Sequence, residues 1–190
     1  KESSAASDVY KRQGVIMTES GYIITNAHVI SGGKSCWVAL DTGVTYDARL
    51  VGYDEDEDLA VLRAIADNPL PAAEFGNSDL LTVGDPVYAI GNPLGLGLAI
   101  SSGIIGSTAH ELDRYALPCI VNSADISRGS SGGALMNAHG QVIGVTSGAY
   151  TYGNNMYLAV PVDPVMAADL TVSGWTLKEV KAIEAAKDKD

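Results

Sequence analysis

Short runs rich in β-branched and aliphatic residues recur along this chain, each closed by a turn signal. They fall at 14–18, 22–25, 36–40, 44–52, 59–63, 87–90, 98–105, 120–122, 142–146 and 156–160. Asp41-Thr-Gly43, Asn68-Pro69, Gly76-Asn77 and His139-Gly140 punctuate them. Strand-length runs at this spacing predict an all-β barrel or sandwich. Helical spacing is confined to the end. Residues 161–170 read as a short helix leaving the last strand. In 176–187, Leu177, Val180, Ile183 and Ala186 form a thin apolar stripe beside Lys178, Lys181, Glu184 and Lys187, after a break at Ser173-Gly174.

Composition excludes several function classes. The 190 residues fit one domain or two small subdomains, and 46% hydrophobic content supports a packed core. A net charge of −11 leaves no basic stripe to displace counterions from a nucleic acid. The best candidate for a membrane span, residues 90–106, is broken by Asn92, Pro93 and five glycines. The first eight residues lack the apolar segment of a secretory signal. Cys36 and Cys119, far apart, read as small buried hydrophobes. Two cysteines and three scattered histidines do not make a metal site, and no cofactor is implied.

Against this background Arg128-Gly-Ser-Ser-Gly-Gly-Ala-Leu135 stands out. Three glycines around two serines imply backbone angles that other residues resist. One reading is a plain turn between strands. The other is a nucleophile loop, with Ser131 attacking and the N–H groups of Gly129 and Ser131 forming an oxyanion hole. A serine nucleophile needs a base within hydrogen-bond reach. His110 lies in a polar stretch and reads as solvated; His139 lies in a hairpin tip. His28, in Thr25-Asn-Ala-His28, follows a strand-like run and is the candidate base, or else a satisfied core histidine.

A triad also needs a carboxylate to fix the imidazole tautomer. The run Asp54-Glu-Asp-Glu-Asp58 offers five. Residues 54–57 read as a solvated turn. Asp58 opens the apolar segment Leu59-Ala-Val-Leu62, at the edge of the core.

Thr25-Asn-Ala-His28, Asp58-Leu-Ala-Val-Leu62, Gly91-Asn-Pro-Leu-Gly95 and Gly129-Ser-Ser-Gly-Gly133 occur in this order. Together they resemble the protease domain of the HtrA/Deg family of serine proteases, over roughly residues 14–170. The order His, Asp, Ser is that of chymotrypsin-like enzymes, and the separations of 30 and 73 residues suit the family. The resemblance implies a chymotrypsin-like double β-barrel with a short C-terminal helix. Two six-stranded barrels are expected, over 14–84 and 85–170, with the site in the cleft between them. It implies His28 as general base then acid, Asp58 as its orienter and Ser131 as nucleophile. Substrate would pair with the strand through Thr146, Ser147 and Gly148, and residues 150–155 would form an adjacent loop. The expected substrates are unfolded polypeptides and the expected compartment is extracytoplasmic. Any export or anchor segment would lie outside this chain, as would a PDZ domain, for which the 171–190 tail is too short. The loop 91–97 reads as an activation loop rather than a phosphate cradle, because Pro93 removes a donor and no helix follows.

The chain also departs from that family. Residues 1–13 do not match it, and Ser7-Asp-Val-Tyr-Lys-Arg-Gln13 reads as an engineered scar or an assembly junction, which bears on the homotrimer that the family builds through N-terminal segments. The nucleophile loop lacks both usual prolines, so a looser oxyanion loop is expected. Asp125 lies six residues before Ser131, where trypsin-like enzymes carry the aspartate that selects Arg or Lys. Alternatively Asp125 points away and Ile126 shapes a shallow apolar pocket. Three functions fit: an endopeptidase for unfolded protein acting through an acyl-enzyme, a chaperone-like binding module with a poorly assembled triad, and an esterase.

Overall fold

In a computed structural model, the described residues are 12–33, 35–92, 97–113, 115–126, 129–150 and 155–166. The first unit contains β1 (Val15–Ile16), β2 (Tyr22–Thr25), the one-turn helix α1 (Ala27–Ile30), β3 (Cys36–Ala39), β4 (Thr45–Asp54) and β5 (Leu59–Ala64). The second contains β6 (Pro86–Gly91), β7 (Ala99–His110), β8 (Cys119–Asn122), β9 (Ala134–Asn137), β10 (Val142–Ala149), β11 (Tyr157–Pro161) and the one-turn helix α2 (Asp163–Met166). The first is an antiparallel sheet in the order β1-β2-β5-β4-β3. The second closes into a barrel in the order β10-β11-β8-β7-β6-β9.

Strand β5 explains how the units are held together. Its first four residues, Leu59 to Leu62, are all buried instead of alternating. That is the pattern of a strand covered on both faces. Leu62 and Ala64 pack with Ile23 and Leu70 inside the first sheet. Leu59 and Val61 face the other way, into a core shared with Val142, Val145 and Val160 of the barrel. A separate cluster around Ile105, Ile120, Leu135 and Ile143 fills the barrel itself. The segment between the units is tied down at Ser78, whose N–H and hydroxyl both donate to the carboxylate of Asp163 in α2.

The observed fold is the expected all-β, chymotrypsin-like one, with differences. Among the described residues the first unit is a five-stranded sheet, where six strands were expected. Strand β7 runs on to His110, so that residue sits in a ladder opposite Cys119 and not in a polar loop. Its ring meets Tyr150 edge-on. The acidic turn is not solvated throughout. Asp54 and Glu57 are buried, because Asp54 Oδ1 accepts the N–H groups of Asp56 and Glu57 at 3.0 and 3.1 Å and folds the turn over itself. Cys119 is fully buried and Cys36 half-buried, both as free thiols; burial pushes the Cys36 thiol pKa up. The expected helix at 176–187 and residues 93–96 of the glycine-rich loop lie outside the described residues.

Candidate active site

His28 is carried by α1, directly after β2. The helix is capped by Asn26 without a side-chain cap bond, and among the described residues the buried Asn26 Oδ1 has no donor. Its Nδ2 donates to the Asp58 carbonyl at 3.0 Å and ties the base-bearing turn to the acid-bearing one. Asp58 closes the 55–58 turn with φ 54°, the left-handed region. Aspartate enters it more readily than most residues. That angle lets the backbone pass straight into β5 while the carboxylate turns back toward His28.

The pair is closely held. His28 Nδ1 lies 2.9 Å from both Asp58 oxygens, and the His28 backbone N–H donates to Asp58 Oδ1 at 3.0 Å. A carboxylate only accepts, so Nδ1 carries a proton, and in the neutral ring the lone pair is then on Nε2. The Asp58 side chain is 11% exposed and that of His28 46%, which places the buried charge behind a ring open to solvent. Ser147 supplies a further bond, its hydroxyl donating to Asp58 Oδ2 at 2.8 Å.

Ser131 comes from the barrel. The loop before β9 turns at Gly129 (φ 101°) and Gly132 (φ 88°). A Cβ at Gly132 would collide with the Gln13 carbonyl and the Thr25 hydroxyl; one at Gly91 would strike Ser130. Glycine is therefore required by close approach as well as by angle. Gly132 N–H donates to the Thr146 carbonyl at 2.8 Å, and Thr146 returns its N–H to the Gly133 carbonyl at 2.9 Å. The Thr146 hydroxyl adds a bond to the Ser130 carbonyl at 2.7 Å. From the first unit, Gln13 N–H reaches the Ser131 carbonyl at 3.4 Å. These braces hold residues 130–133 despite the missing prolines. Among the described residues neither Gly129 nor Ser131 N–H has an acceptor.

The Ser131 hydroxyl donates to the Ser147 carbonyl at 2.9 Å. Among the described residues nothing bonds it to His28. The two halves of the candidate triad thus meet on one residue, Ser147, whose hydroxyl holds the acid and whose carbonyl holds the nucleophile.

The other sequence candidates divide. Thr146 is fully buried and braces the loop. Strand β10 pairs with β11 through Ala149 but with β9 only as far as Val145, so among the described residues one edge beyond Thr146, near Gly148, is unladdered. Ile126 packs into the barrel core with Ile105 and Ile120. Asp125 is exposed and accepts the Tyr157 hydroxyl at 2.5 Å. That bond, with a smaller contribution from burial and then from the carboxylate's charge, raises the Tyr157 pKa. Asp125 and Ile126 both border a cavity of about 200 Å³ whose other walls include Gly91, Ile100, Ser130 and Thr146. The roles of Asn26, Gln13, Tyr115 and Tyr157 were not read from sequence. Only Asn26 carried a signal, being next to the histidine motif.

The model of the trypsin-like peptidase domain family matches residues 12–145. A probable periplasmic serine endoprotease DegP-like of Halomonas elongata is 42% identical over 157 residues, 80% of this chain and 33% of the relative. A putative serine protease HhoA of Synechocystis sp. is 37% identical over 166 residues, 84% of this chain and 42% of the relative. The solved structure of an HtrA-type protease AlgW with decapeptide superposes with TM-score 0.73 at 37% identity, over 80% of this chain and 49% of that one. The chain thus spans between a third and a half of these proteins. It belongs to the trypsin-like peptidase domain family, and its relatives there are of the HtrA/Deg type.

Proposed function

We propose that this domain is a serine endopeptidase that cleaves unfolded or misfolded polypeptides through an acyl-enzyme. The observation that carries the proposal is the His28–Asp58 pair at 2.9 Å, joined through Ser147 to Ser131 on its glycine loop. Substrate backbone pairs with the unladdered edge of β10. The Ser131 hydroxyl leaves the Ser147 carbonyl and passes its proton to His28 Nε2 as Oγ attacks the scissile carbonyl. Gly129 and Ser131 N–H groups take up the developing oxyanion. Asp58 stabilises the imidazolium, which then gives its proton to the leaving amine, and water hydrolyses the acyl-enzyme by the same relay. The commitment of Asp125 to Tyr157 supports a preference for aliphatic over basic residues before the cut. HtrA-type kinship supports an extracytoplasmic setting and a homotrimer, the latter checked by light scattering of the purified protein. Fluorophosphonate labelling and casein digestion, both lost in Ser131→Ala, test the central claim; an Ser131→Ala variant that still digests casein sinks it.

A further inference from the structure

We infer that Tyr115 is a positioning residue for the His28–Asp58 pair, acting through the hydroxyl of Ser147. The inference rests on the triad reading above. Tyr115 lies in the loop between β7 and β8, in the barrel, whereas Asp58 belongs to the turn between β4 and β5 of the first unit. Its hydroxyl is 2.8 Å from Ser147 Oγ. The polarity of that bond follows from counting protons. Asp58 can only accept, so the single hydroxyl proton of Ser147 is committed to Asp58 Oδ2. The phenol must then donate and the serine accept. Every bond in the chain Tyr115–Ser147–Asp58 points the same way, toward the carboxylate, and such aligned donors polarise one another.

The backbone repeats the connection. Ala116 N–H donates to the Asp56 carbonyl at 2.6 Å, inside the turn that presents Asp58. Residues 115 and 116 therefore clasp the acid turn twice, once through the main chain and once through a side-chain relay. The Tyr115 ring is anchored on both sides. It packs on the shared core that contains Leu59 and Val145, and on the cluster of Cys119 and Leu158. A ring held in this way can aim its hydroxyl. Without that donor the Ser147 side chain gains rotamer freedom, and the carboxylate loses a fixed partner while His28 becomes charged. The same residue's carbonyl holds Ser131, so Tyr115 also steadies the point at which the two halves of the site meet.

Tyr115→Phe removes only the donor and keeps the ring. Rates on a fluorogenic peptide with valine before the cut, normalised to fluorophosphonate-titrated sites, should show kcat reduced roughly three- to tenfold at unchanged KM, the range spanned by one neutral hydrogen bond. Ser147→Ala should cost at least as much, and the double variant no more than Ser147→Ala alone, because Tyr115 acts on the pair through that hydroxyl. A parental kcat in Tyr115→Phe, a change confined to KM, or losses that multiply in the double variant would each overturn the inference. His28→Ala separates the two levels. If it stays active, the triad reading fails; if it is dead while Tyr115→Phe is silent, only the role of Tyr115 fails.

Discussion

At the scale of single residues, Asp58 joins strain to chemistry. Its φ of 54° costs of order 1 kcal/mol or more for a residue with a Cβ, which the surrounding bonds must offset. Asparagine tolerates the same region, so Asp58→Asn leaves the turn standing and changes only what faces His28. A carboxamide favours the wrong imidazole tautomer and cannot stabilise the imidazolium. Turnover should fall by about four orders of magnitude with little change in melting temperature, as peptide hydrolysis and calorimetry will read. Tyr157 gives a pH prediction of known sign. Its phenol loses a donated bond and meets a carboxylate when it ionises, so its pKa is raised in the folded chain. The stability it contributes is full below the ordinary tyrosine pKa and is lost as pH rises through the raised one. In Asp125→Asn, phenolate absorbance should show one tyrosine titrating at lower pH than in the parent. An unchanged titration curve would remove Asp125 as the cause. The same variant should leave selectivity against Arg and Lys unaltered, since the carboxylate already has a partner.

At the scale of elements, the loop before β9 is set by its glycines. Gly132→Ala places a Cβ at φ 88° and against the backbone oxygen of Gln13. The angle alone costs roughly 1–2 kcal/mol, and the collision forces the loop to move. Labelling of Ser131 should be lost well before the fold is, so a variant with parental labelling would mean the loop has slack. This loop was legible in the sequence because glycine and serine composition reports backbone angle and close approach directly. So were the strands, whose alternating or continuous apolar runs place β2, β3 and β5 within a residue of their observed ends. Local composition misled where long-range pairing decided. Ser107 to His110 is polar, yet the ladder to β8 extends β7 through it. Asp54 and Glu57 look solvated, yet Asp54 caps its own turn and both are buried. Tyr115 carried no signal at all. Its role exists only because the β7–β8 loop of one unit crosses to the acid turn of the other, a relation between residues more than fifty positions apart in sequence.

At the scale of the whole molecule, the site is divided between two units and the core beneath it is shared. Val15, Met17, Ile24, Val51, Leu59 and Val61 from the first sheet pack with Ala134, Val142, Val145, Val160, Val162 and Val165 from the barrel side. Above that core the bonds from Ser147 to Asp58, from Ala116 to Asp56 and from Gln13 to Ser131 cross or brace the same boundary. Neither unit can bury its face of this core alone, so the halves should unfold together. Val145 tests the point, since it is fully buried and one residue from the brace at Thr146. Val145→Ala removes two methyl groups from the shared core and should cost about 2 kcal/mol, part transfer and part cavity. Urea unfolding followed by circular dichroism and by fluorophosphonate labelling should give coincident curves in the parent, and the substitution should move both by the same amount. If labelling fell at lower urea than circular dichroism, the cleft would open while both sheets remained folded. Catalytic competence would then be governed by the bonds across the boundary instead of by the core, and Tyr115→Phe should widen that gap where Val145→Ala does not.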